Sequence, residues 1–474
     1  MKLQDLLLMR HELILIAVAL IIFITEIFVD EKRKGIVVPL SLGLMFIATI
    51  IGFLPVENSS LFGGMYIGDT LRATIKNILN VGVLIILFQS VNWVSREQNR
   101  PRLSEFYVLL FSTVIGMFYM ISSGHFLMLY LGLELATIPA AALVAYDRHK
   151  TISAEAAIKL IFSSALSSGI LLYGLSMVYG ICGSLYFDQV AANFSHSTLS
   201  VLALLFFITG MGFKMSLVPF HLWTADVYEG APIGVTAFLS VISKGAAAFV
   251  FTFVLYQVFG KSSPIWSEAI YLLAVATMFI GNLFALRQDN FKRFLAFSSI
   301  AQAGFILLGV LGADSLGMST VLYFVAVYVV TNLAAFGVVS AVSDATGKEN
   351  ISDYAGMYKT NPRLSLLLML AMFSLAGIPP VAGFFSKFFL FASAASKGYY
   401  YLVFLAVINA TISLYYYLRP VKAIFVDKNE SPIAFFKTDN YARVGLIVCA
   451  LGMFLIGVIS FFFEYLQSIS VGLV

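Results

Sequence analysis

The sequence predicts an all-α integral membrane protein of about fourteen transmembrane helices, with two inverted five-helix repeats that each contain a broken helix. Three observations lead there. The chain has 474 residues, of which 60% are hydrophobic and only 11% charged, whereas soluble domains carry roughly a quarter charged residues. Its mean hydropathy is +0.94, and apolar runs of roughly the 20 residues needed to cross a bilayer as a helix recur throughout. Proline breaks also recur at matching places, Pro219 and Pro379-Pro380. A transmembrane barrel would instead show short alternating segments.

In chain order, spans are expected near 12–29, 36–54, 75–94, 104–121, 124–146, 154–180, 199–227, 231–259, 266–286, 293–311, 316–341, 363–395, 399–420 and 442–466. The first reads as a retained anchor, because its basic cluster, Lys32-Arg33-Lys34, follows it rather than precedes it. Residues 55–74 carry the turn signals "FGGM" and "IGD" and predict a small outside hairpin. The chain then divides into three N-terminal helices (1–100), a first five-helix block (101–262), a second (263–427) and a last helix (428–474). Each block places its broken helix fourth. Five spans is an odd number, so the second block enters the membrane from the opposite side. Paired broken spans of this kind point to a transport site.

The basic residues sort by side. Of the 29 lysines and arginines, nineteen fall in loops after odd-numbered spans, while six fall on the other side: Lys2, Arg10, Arg72, Lys76, Lys261 and Lys397. Positive charge marks the inside, so both termini are expected outside. Four lysines are left over within spans: Lys159, Lys214, Lys244 and Lys387. The net charge of +4 therefore reports orientation, not affinity for nucleic acid. Two cysteines are too few for an iron–sulfur cluster. The absence of metal-ligand spacings or a phosphate-cradling loop implies a chain with no cofactor and no metal of its own.

A lysine at mid-membrane is costly, on the order of 3 kcal/mol on insertion scales. Lys159 lies close enough to its span end to snorkel or to form a structural pair. Lys214, Lys244 and Lys387 lie ten or more residues from the basic loops, too deep for that at ~1.5 Å per residue. Such groups line hydrated paths. Glu134, in "YLGLELATIPAA", is the one carboxylate expected far from either span end, and is the natural counter-ion for a buried lysine. Burial disfavours an ammonium and a nearby carboxylate favours it, so such a pair can bind and release a proton as one unit. Pro219 removes a backbone donor between Lys214 and His221. His221 can act as a relay there or simply pack. Tyr228 and Glu229 are expected to tie the turn that follows. Glu26 and Asp30 are expected to form an interfacial cluster with Lys32–Lys34.

The segments "FKMSLVPFHLWTADVYEGAP", "FLSVISKGAAAF", "LELATIPAAALVAY", "AEAAIKLIFSSALSSGILLYGLSMVYG", "RFLAFSSIAQAGF" and "SLAGIPPVAGFFSKFFLF" resemble the N subunits of bacterial respiratory NADH–quinone oxidoreductase (complex I), a family of antiporter-like membrane subunits. The resemblance covers about 100–420. Ala225 and Gly234 stand where the family often has proline, and Ser386 where it often has glycine. The resemblance implies a proton-pumping subunit driven by redox energy released in other subunits. It implies a first half-site of Glu134, Lys159 and Lys214, a central relay at Lys244, an exit-side group at Lys387, and His221 on the water path between them. Implied partners are the antiporter-like M and small K subunits and the lipid bilayer. The alternatives are a Mrp-type cation/proton antiporter subunit, quinone-binding catalysis and a passive scaffold.

Overall fold

The computed structural model describes residues 7–195 and 197–471. Lys2, counted above, lies outside the described residues. Among those described, thirteen helices are long and apolar enough to cross a membrane. A further crossing, the twelfth in order, is assembled from two shorter apolar helices.

The N-terminal group is α1 (Arg10–Phe28), α2 (Val37–Gly52) and α3 (Thr70–Val94). The expected hairpin is present between α2 and α3: β1 (Ser59–Leu61) pairs antiparallel with β2 (Tyr66–Gly68), with Ser60 opposite Ile67. Helix α3 starts earlier than hydropathy suggested. Asp69 caps it, accepting from the Arg72 backbone N–H at 2.7 Å, so its first turn is polar. Of the cluster expected at the end of α1, the Glu26–Lys34 pair is present, at 3.7 Å.

The two five-helix blocks have parallel construction. The first holds α4 (Leu103–Ile121), α5 (Phe126–Val144), α6 (Thr151–Cys182), the halves α7a (Thr198–Met215) and α7b (Leu222–Gly230), and α8 (Ile233–Gln257). The second holds α9 (Ser263–Ala285), α10 (Phe291–Val310), α11 (Ser315–Thr346), the halves α12a (Pro362–Ala376) and α12b (Ala382–Ser396), and α13 (Tyr400–Phe425). The third helix of each block has 32 residues. At ~1.5 Å per residue it exceeds the ~30 Å hydrocarbon core, and it packs along both halves of the broken helix that follows.

The first two helices of each block meet backbone to backbone. A Cβ on Gly116 of α4 would lie 2.4 Å from the Ala136 nitrogen of α5, and one on Gly281 of α9 would lie 2.6 Å from the Ala301 nitrogen of α10. Small residues permit close helix approach in a membrane. Here the same device sits at equivalent places in both blocks. Helices α8 and α11 are buried along their whole apolar windows, so they form the centre of the bundle. Their polar residues face protein, not lipid.

The last expected span, 442–466, is shorter than hydropathy implied. Helix α14 (Asn440–Val458) ends at Ile459, whose backbone is extended, and a separate amphipathic helix, Ser460–Ser470, follows. It buries Leu466 and exposes Phe461, as an interfacial helix does.

Candidate functional site

The two breaks place their lysines differently. Helix α7a ends at Met215, and Ser216 adopts a left-handed conformation, φ 62°. The Pro219 turn leads to α7b, with His221 at its N-cap. Lys214 thus sits in the last turn of a half-helix, where carbonyls lack helical partners and a cation is favoured. Its Nζ donates to Thr137 Oγ1 at 2.6 Å. Thr137 lies one turn from Glu134 on α5, so Lys214 reaches the helix that carries Glu134 through Thr137. Glu134 is only half-buried, between the exposed Leu131 and Ile138, so it lies on the flank of the bundle. One carboxylate oxygen, Oε1, is buried there without a protein partner.

Lys159 belongs to a different cluster. It is 42% exposed and pairs with Asp226 at 2.6 Å and Glu155 at 2.7 Å, not with Glu134. Asp226 and Glu229 also receive Arg293 of α10, at 2.9 and 2.6 Å. The network ties α6 and α7b of the first block to α10 of the second. Asp226 is its centre, and the sequence reading gave it no relay role. Because these side chains are between 27% and 63% exposed, each pair contributes under about 1 kcal/mol. Asp226 makes two of them, so Asp226→Asn should shift chain stability by no more than about 2 kcal/mol, read by thermal melting. Loss of the folded chain would show that the network is essential to the bundle.

Lys244 opens the regular part of α8 directly after a π-helical turn, Leu239–Ser243. Such wide turns recur at functional sites. Its side chain is buried; Nζ donates to Ser299 Oγ at 2.6 Å and stands 5.5 Å from the centre of the Tyr228 ring. Tyr228 therefore does more than tie a turn. His221 is buried, and its Nδ1 has no hydrogen-bond partner among the described residues.

Lys387 is held by the second break itself. Gly377 caps α12a with φ 89°, a conformation that suits glycine. The freed carbonyls of Leu375 and Ala376 accept from Lys387 Nζ at 2.8 and 3.1 Å. From there a hydrogen-bonded path runs back toward the centre. Gln302 Nε2 donates to the Leu375 carbonyl at 3.1 Å and to the Tyr417 hydroxyl at 2.9 Å. The Tyr417 hydroxyl lies 2.6 Å from Ser298 Oγ, next in sequence to the Ser299 that binds Lys244. Ser298, Ser299, Gln302 and Tyr417 escaped the sequence reading because only charged residues in apolar spans stand out by hydropathy. The serine pair and Gln302 inside one apolar helix were the available signal.

A second correction concerns the N-terminal helices. Arg10, Arg72 and Lys76 were assigned to outside loops, yet all three are buried. Lys76 Nζ binds Glu12 Oε1 at 2.5 Å, Ser122 Oγ at 2.7 Å and the Tyr66 hydroxyl at 3.1 Å. His11 bonds Asn77 at 2.9 Å beside this cluster. Expecting the span to begin at 75 hid the fact that Lys76 lies in the second turn of α3. Glu12, fully buried, lies in the first turn of α1, close to a span end. Of the three departures from the usual N-subunit pattern, Gly234 has a visible cause: a Cβ there would meet Ser90 Oγ at 2.4 Å.

Inverted five-helix repeats, broken fourth helices and buried lysines at the breaks define an antiporter-like membrane subunit. The model of the NADH:quinone oxidoreductase/Mrp antiporter transmembrane family matches residues 123–413. NADH-quinone oxidoreductase subunit N of Phocaeicola vulgatus is 49% identical, covering 98% of both chains. The subunit N of Azobacteroides pseudotrichonymphae is 47% identical over 100% of this chain and 99% of its own. A chain of respiratory complex I from Thermus thermophilus superposes with a TM-score of 0.78 at 29% identity, covering 94% of this chain and 98% of that one. A chain of the Mrp complex from Dietzia superposes with a TM-score of 0.87 at 20% identity, covering 100% and 98%, a likeness of fold alone. The chain belongs to the NADH-quinone oxidoreductase subunit N family.

Proposed function

We propose that this chain translocates protons in the membrane arm of NADH-quinone oxidoreductase, through Glu134, Lys159, Lys214, His221, Lys244 and Lys387. Membership of the subunit N family supports the complex. The observation that carries the route is the line of buried polar groups between Lys387 and Lys244 (the Leu375 carbonyl, Gln302, Tyr417, Ser298 and Ser299), which would orient a file of water carrying the proton rather than carry it themselves. It crosses the second block at bundle depth between two lysines.

Blocks 101–262 and 263–427 act as two half-channels joined at Lys244. Lys159, with Asp226 and Glu155, stands at the inner mouth. Lys214 exchanges a proton with Glu134, and His221 hands protons on to Lys244. The unpartnered His221 Nδ1 and Glu134 Oε1 support a hydrated first half, because buried polar atoms are usually satisfied by protein or water. Lys387 passes the proton outward. The relay needs no cofactor in this chain, and the redox centres belong to other subunits.

Glu134 and Lys159 are ionisable groups on a bilayer-facing flank, which is costly against lipid. This favours a polar partner there, and we assign the flank to the small K subunit, with the M subunit on the far side of the second block. The excess of basic loop residues supports an inner-membrane location with both termini periplasmic.

The Mrp reading rests on shared fold. The two separate on the transported ion. Reconstituted into vesicles, the complex should acidify them on NADH addition at full rate in sodium-free medium. Strict dependence on sodium would overturn the proton reading.

A further inference from the structure

Helices α12a and α14 leave a groove between them that the relay does not use. It encloses about 700 Å³. Its walls are apolar, from Leu366, Leu370, Leu446 and Ile447, and it opens sideways, since Leu366 and Ile447 are 41% and 51% exposed. Three cations line one end: Arg363 on the first turn of α12a, Arg443 on the first turn of α14, and Lys437 in the segment that leads into α14.

The groove wall is preformed. Thr360 Oγ1 donates to the Ile433 carbonyl at 2.6 Å, Asn361 Nδ2 donates to the Ala434 carbonyl at 3.2 Å, and Asn361 Oδ1 accepts from the Phe436 N–H at 3.3 Å. The extended segment before α14 is thus fastened to the start of α12a. The cations are not neutralised internally. Among the described residues, none of the three meets a carboxylate within ion-pairing distance. Arg443 makes only a 3.4 Å bond to the Thr438 carbonyl. Asp439, the nearest acid in sequence, instead accepts from the backbone N–H groups of Tyr441 and Ala442. Phe435, 75% exposed, stands beside them as an interfacial aromatic.

An apolar slot open to the bilayer with unpaired positive charge confined to its mouth matches one molecule: an amphiphile with an anionic head and acyl chains. We infer that this groove binds an anionic phospholipid, its phosphate among Arg363, Lys437 and Arg443 and an acyl chain between α12a and α14. A neighbouring subunit's helix filling the same slot would have to bring acidic residues to that one end. Basic pockets between transmembrane helices bind such headgroups by the same electrostatics.

The test uses the assembled complex in phosphatidylcholine vesicles containing phosphatidylglycerol with a photoactivatable acyl chain. Adducts should map to residues 362–370 and 443–450. Each surface cation contributes a several-fold gain for an anionic lipid, so the triple variant Arg363→Gln/Lys437→Gln/Arg443→Gln should lower labelling there on the order of tenfold or more. Ala450→Trp fills the slot while keeping every charge, and should lower it equally. The triple Arg287→Gln/Lys348→Gln/Lys428→Gln removes charge from the same basic side away from the groove, and should leave it unchanged. Equal labelling by photoactivatable phosphatidylcholine, an equal loss in the distant triple, or unchanged labelling in the groove triple would each overturn the inference. So would crosslinking of p-benzoylphenylalanine at position 366 to a neighbouring subunit.

Discussion

Lys244→Ala should lower NADH-driven proton pumping and the quinone reduction coupled to it by on the order of tenfold or more, while the complex still assembles. A positioned proton-transfer group commonly contributes a factor of ~10² to 10⁴, and slippage or parallel pumping elsewhere in a complex reduces what is observed. Assembly should survive for a local reason. The partner Ser299 also donates to the Ala296 carbonyl at 2.7 Å, so removing Lys244 leaves no orphaned hydroxyl. It also removes a buried cation that donates to that neutral group, which relieves a desolvation cost. Lys244→Arg is the sharper variant. It keeps charge, length and donors but cannot release a proton near neutral pH. It should be as defective as alanine if Lys244 relays protons, and close to wild type if Lys244 serves only as a fixed charge. Assembly on native gels, quinone reductase rate and vesicle acidification together decide. Wild-type pumping in an assembled Lys244→Ala complex would remove Lys244 from the route.

That Lys244 could be singled out from sequence has a plain physical reason. A charge in a long apolar run is expensive, so hydropathy and the sorting of basic loops isolate it. The same reasoning found Lys214 and Lys387, and the proline breaks located the turns that house them. Reading failed where the signal was not charge in an apolar run. Ser298, Ser299, Gln302 and Tyr417 are neutral, and only folding brings α10, α12a and α13 together around them. Lys159 was legible in part. Its depth predicted a structural pair, which is present, but the partner is set by helix rotation: its side chain turns toward Asp226 on α7b rather than Glu134 on α5. The start of α3 was misplaced because an Asp69 cap with a polar first turn looks like loop to any hydropathy window. That shift of about one turn turned a buried ion pair into an apparent loop residue. The symmetry was more legible than the site, since a 32-residue third helix and a broken fourth are properties of length and proline placement.

The buried ion pair of the N-terminal helices should show the largest stability effect. Lys76→Ala should destabilise the chain by about 3–5 kcal/mol, the usual result of leaving one buried charge without its partner. Glu12 is fully buried. Without Lys76, its carboxylate keeps the Tyr66 hydroxyl at 3.0 Å as its neighbour among the described side chains. The loss would spread because the cluster joins four elements. Lys76 lies on α3 and Glu12 on α1. Tyr66 lies on the hairpin, whose Ile67 N–H also bonds the Ser122 carbonyl at 2.8 Å, and Ser122 closes α4. Breaking the pair therefore loosens the outer cap that holds the hairpin on the bundle. Replacing both partners by neutral groups is a different experiment. Buried ion pairs are often no more stable than matched apolar residues, so Glu12→Gln/Lys76→Met should recover most of the single variant's loss. The measurement is the yield of folded chain and its melting temperature in detergent, with limited proteolysis at residues 55–68 reporting release of the hairpin. Three results would contradict this account: a Lys76→Ala chain as stable as wild type, a double variant as damaged as the single one, or a destabilised chain whose hairpin stays protected. The last would mean that Lys76 holds α1 to α3 but not the cap above them.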